Sequence, residues 1–370
     1  MKKWCKAFAF ILPILVLVGA VNWYVDSYAY LRVTYDEIAG EMIDGGRNVS
    51  GLEESNFNDR SLLLACLKKQ KAPEMIVMGS SRVLTFEQDM FGADSFYNAG
   101  LSESTIYDLL AVTGILVQED KLPETMLIGI DPWLFNSSHD NDRWQELRSY
   151  EEYMEGLLTD GAAEDENSGD ENNGDGMTGR DNSKWLSLAY FRYNITCLPG
   201  RERFMVSYTT EHEGMQYIKH CDGSIAYQEE LRTVDAESVI ALTRQTMEEQ
   251  VVYRMTDYKQ IDEKSMQMLA DLTEYLQKRG VEVILYLPPY SPMLYDYIRS
   301  AEQYQITLDV EEKVKELALA QGIALYGSYD PAGSGLEMTD LYDVYHVKTE
   351  KMMDTYFPVI EPDEKRMKNE

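Results

Sequence analysis

Two short stretches, far apart in the chain, hold residue types that together could attack a carbonyl. The first is Pro73-Glu-Met-Ile-Val-Met-Gly-Ser-Ser-Arg82, where an apolar tetrapeptide runs into a glycine, two hydroxyls and a guanidinium. A strand over Met75–Met78 that hands over to a helix after Gly79 presents a serine at a sharp turn. Exposed backbone N–H groups and a helix N-terminus there would favour developing negative charge. A serine still needs a base. The chain has 4 histidines, and one of them, His346, sits in Asp343-Val-Tyr-His346, just before a last helical pattern. Ser81 as nucleophile, His346 as base and Asp343 as the acid that orients the base form the leading constellation. Ser80 competes with Ser81, and Asp340 with Asp343. His139, His212 and His220 read as surface or insertion residues.

These residues need a scaffold that brings the two stretches together. Short apolar runs at Met75–Met78, Ser95–Asn98, Thr125–Ile130, Val281–Leu287 and Ile323–Tyr326 read as five strands. Helical spacing separates them, with Ile106, Leu109, Leu110, Ile115 and Leu116 on one face and Leu269, Leu272 and Leu276 on another, the latter stopped by Gly280. A further helix runs from Leu308 to Gln321. Strands alternating with helices predict an α/β fold, a three-layer α/β/α arrangement on a five-stranded parallel sheet. In such a sheet, reactive groups gather beyond the carboxyl ends of the strands. Ser80, Ser81 and Arg82 follow the first strand, Gly100 the second, Asp131 and Asn136 the third, and His346 the fifth. Tyr290, in the stiff Pro288-Pro289-Tyr290-Ser291-Pro292 loop after the fourth, is placed to line the cleft. Arg82 is a candidate for binding a substrate phosphate or carboxylate, with a structural ion pair as its alternative.

The rhythm breaks between residues 137 and 234, read as an insertion. Its centre, Thr159–Lys184, is rich in Gly, Asn, Asp and Glu and reads as a disordered acidic loop. Trp144–Leu158 and Trp185–Leu198 on either side look helical and aromatic-rich. The expected organisation is thus an N-terminal segment over 1–25, a lead-in over 26–71 with a helix at Arg60–Lys69, an α/β domain over 72–357, and a tail over 358–370.

The formal net charge of -30 leaves no basic surface for wrapping nucleic acid. Lys2, Lys3 and Lys6 precede an apolar run from Ala7 to Val25 that closes on Trp23 and Tyr24, the layout of a retained membrane anchor with the acidic body on the extracytoplasmic side. Cleavage after Ala20 is the alternative, giving a secreted chain. Cys197 and Cys221 are spaced to pair in an oxidising compartment, or to remain structural thiols. No Cys/His cluster has zinc spacing, so neither a metal nor a cofactor is expected.

Gly79-Ser80-Ser81, Asn98-Ala-Gly100-Leu-Ser102 and Asp343-Val-Tyr-His346 resemble the first, second and fifth sequence blocks of the SGNH (GDSL-like) hydrolase superfamily. The likeness covers Pro73 to Phe357 apart from the insertion. It implies a five-stranded parallel sheet between helices, with Ser81 matching the nucleophile, Gly100 the second-block oxyanion glycine, and Asp343 and His346 the Asp-x-x-His pair. The anchored layout resembles the cell-envelope subgroup, including the D-alanyl-lipoteichoic acid and alginate acetylation proteins. That implies acyl transfer onto, or ester cleavage from, an envelope glycan or polymer, with a membrane-bound acyl-donor transporter as partner. Two positions depart from the pattern. Ser80 stands where an Asp usually precedes the nucleophile, and the third block, normally Gly-x-Asn-Asp, is represented by Gly129-Ile-Asp131-Pro. Asn136 is the substitute candidate for the missing oxyanion donor. The alternative is a chain that keeps the fold as a binding or assembly protein without turnover.

Overall fold

The computed structural model describes residues 2–28, 31–52, 57–138, 142–159 and 182–361. Two compact units are present, one drawn from Met1–Gln70, Asp175–Cys221 and Ile225–Glu229, the other from Lys71–Gly174, Asp222–Ser224 and Glu230–Glu370. The described strands are β1 Asn48–Ser50, β2 Met75–Met78, β3 Phe96–Asn98, β4 Thr125–Gly129, β5 Ser207–Thr209, β6 Ile218–Lys219, β7 Ile225–Ala226, β8 Glu282–Leu287, β9 Ala324–Gly327 and β10 Pro358–Ile360. The helices that matter below are α1 Lys2–Val25, α2 Tyr35–Ile43, α3 Asp59–Lys69, α4 Ile106–Gln118, α5 Arg148–Thr159 and α6 Leu188–Cys197.

The second unit holds a sheet in the order β10-β9-β8-β4-β2-β3. Neighbours from β9 through to β3 pair in parallel, whereas β10 runs antiparallel to β9. All five expected strands form, but the sheet is six-stranded and mixed, not the five-stranded parallel sheet expected. The extra strand was hidden because it is a half-exposed edge that opens on Pro358, a residue without the N–H a central strand must donate. Every residue of β2 and β3 is buried, as is all of β8 after Glu282, so the sheet is covered on both faces. One face gathers Met75, Val77, Phe86, Leu127 and Tyr286 into a core cluster.

The chain leaves β2 for β3 on one side and then returns to β4 on the other side of β2. Strand order therefore reverses between β2 and β4, and the crevice of an open α/β sheet opens beyond the carboxyl ends of that pair. The backbones meet closely there. Gly79 has φ +151°, and a Cβ on it would lie 3.1 Å from the Cα and O of Gly129, so glycine is required for both reasons.

In the first unit, β1 pairs antiparallel with β5 and β6, and β7 closes a four-stranded sheet. The 26–71 segment, expected as a lead-in with a helix at Arg60–Lys69, forms that helix as α3 and adds β1 and α2 to this unit. Helix α2 starts on a capping box of Thr34 and Glu37, and α3 buries Leu62, Leu63, Leu64 and Leu67. Helix α1 spans 24 residues, yet among the described residues no helix is long and apolar enough to cross a membrane, so the expected single spanning helix is not supported. Cys197 is a buried thiol outside any disulfide, so it is not bridged to Cys221. Residues 160–181 of the expected acidic loop, His139 and the tail beyond 361 lie outside the described residues.

Helices α4 and α5 pack in the second unit at Gly114, where a Cβ would lie 2.2 Å from the carbonyl oxygen of Tyr150. Ala in a helix interior is favoured over Gly by about 0.5–1 kcal/mol, but that contact is with backbone and forces the helices apart. Gly114→Ala is therefore expected to lower stability by about 1–2 kcal/mol net, read as a fall in the urea midpoint. An unchanged or raised midpoint would show that the pair has slack.

Candidate active site

Ser81 follows β2 and His346 follows the loop after β9, and the two side chains meet with His346 Nε2 2.9 Å from Ser81 Oγ. On the other edge of the ring, Nδ1 lies 2.8 Å from Oδ2 and 3.0 Å from Oδ1 of Asp343. Asp343 accepts at Nδ1, which assigns the ring proton to that nitrogen and leaves Nε2 to accept from the serine hydroxyl. The carboxylate is fixed by its own loop, since Oδ1 accepts the backbone N–H groups of Tyr345 at 2.8 Å and His346 at 2.9 Å. Burial works to raise the Asp343 carboxyl, but the facing imidazole and these hydrogen bonds overcome it and hold it down at about 2. Ser81, His346 and Asp343 are all partly exposed.

The competing residues are directed elsewhere. Ser80 is buried and its Oγ accepts the Arg82 N–H at 3.2 Å, so it faces the interior. Asp340 uses its side chain to accept the Glu337 N–H at 2.9 Å and its carbonyl to accept from Lys348. His220, within the expected insertion, is buried, and its ring stacks on that of His212 with centroids 4.1 Å apart.

Arg82 is not a substrate ligand in this geometry. Its side chain is 2 % exposed and donates from Nη1 to Asp131 at 2.8 Å and from Nη2 to the carbonyls of Pro288 at 2.7 Å and Pro289 at 2.6 Å. The guanidinium also lies 4.6 Å from the ring centre of Tyr290. Burial opposes the Arg82 charge, but Asp131 together with Tyr290 and Tyr286 outweighs it and raises the guanidinium, while burial pushes the Asp131 carboxyl up against the pull of Arg82. Tyr290 is itself fully buried and forms the platform for Arg82, not the wall of an open cleft. These groups tie the turn after β2 to the turns after β4 and β8, which fixes the backbone that carries Ser81.

The oxyanion donors differ from the expectation as well. Ser81–Val83 is one turn of 3-10 helix, so no α-helix terminus lies behind the nucleophile. The Ser81 N–H has no acceptor among the described residues. The Gly100 N–H donates to Asn98 Oδ1 at 3.0 Å, and a Cβ on Gly100 would meet Leu84 at 2.9 Å, which makes Gly100 a packing residue. Asn136 is spent on its own loop, donating from Nδ2 to the carbonyls of Arg254 and Thr256 and accepting from the Ser138 N–H. Neither Gly100 nor Asn136 is available as a free donor.

Asn98 is the residue that sequence reasoning passed over. It is fully buried and donates from Nδ2 to the carbonyls of Val83 at 2.7 Å and Phe86 at 3.0 Å. Its backbone N–H reaches Asp222 O at 2.7 Å. It thus clamps the nucleophile's turn to the loop after β3. An asparagine closing an apolar strand was the available signal, because a buried amide must be spent on nearby backbone.

No family model matches the chain, and no curated protein matches it.

Two outcomes check this account. Arg82→Met leaves Asp131 buried without its cation and is expected to cost about 3–5 kcal/mol by chemical denaturation. Adding Asp131→Leu is expected to recover part of that loss, and a double variant less stable than Arg82→Met would contradict the pairing. Asp343 is depressed, so its stabilisation is present above the ordinary carboxylate range and is lost as pH falls through about 2. The stability gap between wild type and Asp343→Asn is expected to reach roughly 2 kcal/mol near neutrality, to shrink below the ordinary carboxylate pKa and to close as pH falls through about 2. A gap independent of pH would reject an ionised Asp343.

Proposed function

We propose that this chain is a serine-dependent esterase or O-acyltransferase of the SGNH-like kind, working on an acylated glycan or polymer of the cell envelope. The observation that carries the reading is the continuous hydrogen-bond line from Ser81 Oγ through the His346 ring to Asp343. In the reaction His346 takes the Ser81 proton as Oγ attacks an ester carbonyl, and Asp343 stabilises the imidazolium that forms. The tetrahedral oxyanion is met by the Ser81 N–H. As the carbonyl reforms, His346 gives its proton to the leaving alcohol and an acyl-enzyme remains. Water or a glycan hydroxyl, deprotonated by the same imidazole, then releases the acyl group. Attachment to the membrane through the N-terminal region, on the extracytoplasmic side, would hold Ser81 near a membrane-bound acyl donor and favours transfer.

A second reading has its own observation. Gly100 and Asn136 are both engaged by neighbouring groups, and one missing oxyanion donor costs about a hundredfold or more in rate. A chain with this depleted hole fits a binding or assembly protein of the envelope that keeps the fold. A fluorophosphonate probe separates the two. The enzyme reading expects labelling that disappears in Ser81→Ala and in His346→Ala, with hydrolysis of an activated aryl ester falling by at least about a thousandfold in each. Absence of labelling in wild type would favour the scaffold.

A further inference from the structure

Along α1, the two residues after it and residues 182–198, beside buried Val18, Val25, Tyr190 and Cys197, the first unit buries several polar side chains: Asn22, Asp26, Ser27 and Asn194 are each 0–1 % exposed. They form one closed network. Asn22 Nδ2 donates to the carbonyls of Lys184, Trp185 and Ser187 at 3.0, 3.1 and 3.1 Å, and Asn194 Nδ2 donates to Asn22 Oδ1 at 3.1 Å. Ser27 Oγ donates to Asn194 Oδ1 at 2.6 Å, and the Tyr190 hydroxyl donates to Asp26 at 2.9 Å. The outward face is apolar instead. On α1, Ile14, Val16 and Leu17 are 57–61 % exposed, and Trp23 and Tyr24 are 49 % exposed. From the insertion, Leu186, Leu188, Ile195 and Leu198 are 45–63 % exposed, with Trp185 beside them at 39 %.

A helix in contact with water places its apolar stripe inward, and large contiguous apolar surface on a soluble protein marks a contact site. The sign of the charge identifies the occupant. The chain carries 64 acidic residues against 34 basic, yet residues 1–25 and 182–200 contain no Asp or Glu at all, and contain Lys2, Lys3, Lys6, Lys184 and Arg192. A protein partner for so acidic a chain would find its charge elsewhere. An apolar face edged by Trp, Tyr and basic side chains, with acid removed, suits the interface of an anionic bilayer.

We propose that α1 and the segment 182–198 form one composite surface seated in an anionic membrane, with Trp185, Leu186, Leu188, Ile195 and Leu198 entering the acyl-chain boundary beside α1. The polar network is the device that makes this possible, because it satisfies the buried Asn22 and Asn194 amides and the Asp26 carboxylate internally and leaves the large apolar side chains facing out. The proposal extends the membrane attachment in the reading above from the N-terminal helix to the insertion, and it does not depend on whether Ser81 reacts.

The test uses the full chain in vesicles of phosphatidylglycerol and phosphatidylcholine with brominated acyl chains, reading tryptophan fluorescence of wild type, Trp23→Phe and Trp185→Phe. Both substitutions are at partly exposed rings outside the polar network. The expected result is quenching in wild type and a smaller quenched fraction in each variant. Quenching that depends on Trp23 but is unchanged in Trp185→Phe would confine lipid contact to α1 and overturn the proposal. Absence of quenching together with a sedimenting dimer would assign the face to a second copy and overturn it equally. Fluorophosphonate labelling of the same vesicles reports on Ser81 separately, so failure of the hydrolase reading would leave the lipid result standing.

Discussion

A hydroxyl and an imidazole 265 residues apart in the chain lie 2.9 Å from one another. Closing a loop of that length costs little more than closing a shorter one, because the entropic penalty grows only logarithmically. What must be supplied is rigidity at both ends. The parallel sheet supplies it at the strand ends, and hydrogen bonds beneath the turns supply the rest. Arg82 ties the turn after β2 to Asp131 and to the Pro288 and Pro289 carbonyls, while Asn98 holds the same turn from the side of β3. On the other side of the bond, Asp343 is fastened to its loop by two backbone N–H groups before it ever meets the imidazole.

Electrostatics follows from this arrangement. Two carboxylates sit close to the nucleophile's turn, but they serve different partners. Asp131 is sealed away with Arg82, and a buried pair of this kind is better evidence of a specified geometry than of added stability. Asp343 is the partly exposed one, held ionised across the whole working range of pH, so the imidazole it faces is the group left free to exchange a proton with Ser81. Ser80 and Ser81 are adjacent in sequence, yet one hydroxyl is assigned to each carboxylate's neighbourhood.

Much of this was legible in the residues. Short segments of four to seven residues, mostly apolar and with Gly or Pro close by, marked all five parallel strands, since a strand buried on both faces cannot hide its composition. The serine, histidine and aspartate were legible because few histidines exist and only His346 follows an acid at the Asp-x-x-His spacing. The edge strand β10 and the two- and three-residue strands of the small sheet were not, because exposed or very short strands carry no hydrophobic period. The residues alone left Arg82 open between a substrate ligand and a structural ion pair, because only the fold supplies its partners: Asp131, which makes it the ion pair, and the carbonyls of Pro288 and Pro289 more than two hundred residues away. Gly100 and Asn136 were misread for a similar reason: a residue type shows that a donor exists, whereas only the fold shows where it is spent. The polarity of α6 is the same lesson reversed, with Tyr190 and Asn194 inward and Leu188 and Ile195 outward, a pattern that hydrophobic periodicity alone reads with the wrong sign.

The central claim is that Ser81 Oγ is a nucleophile that forms a covalent acyl intermediate. Its most direct test is the intact and peptide mass of the protein after acid quenching of a brief reaction with an activated acetyl ester. The account predicts a mass gain of one acetyl group on the peptide spanning Glu74 to Arg82, assigned by fragmentation to Ser81 and absent in His346→Ala. An adduct on Ser80, or ester turnover with no acylated serine, would contradict it.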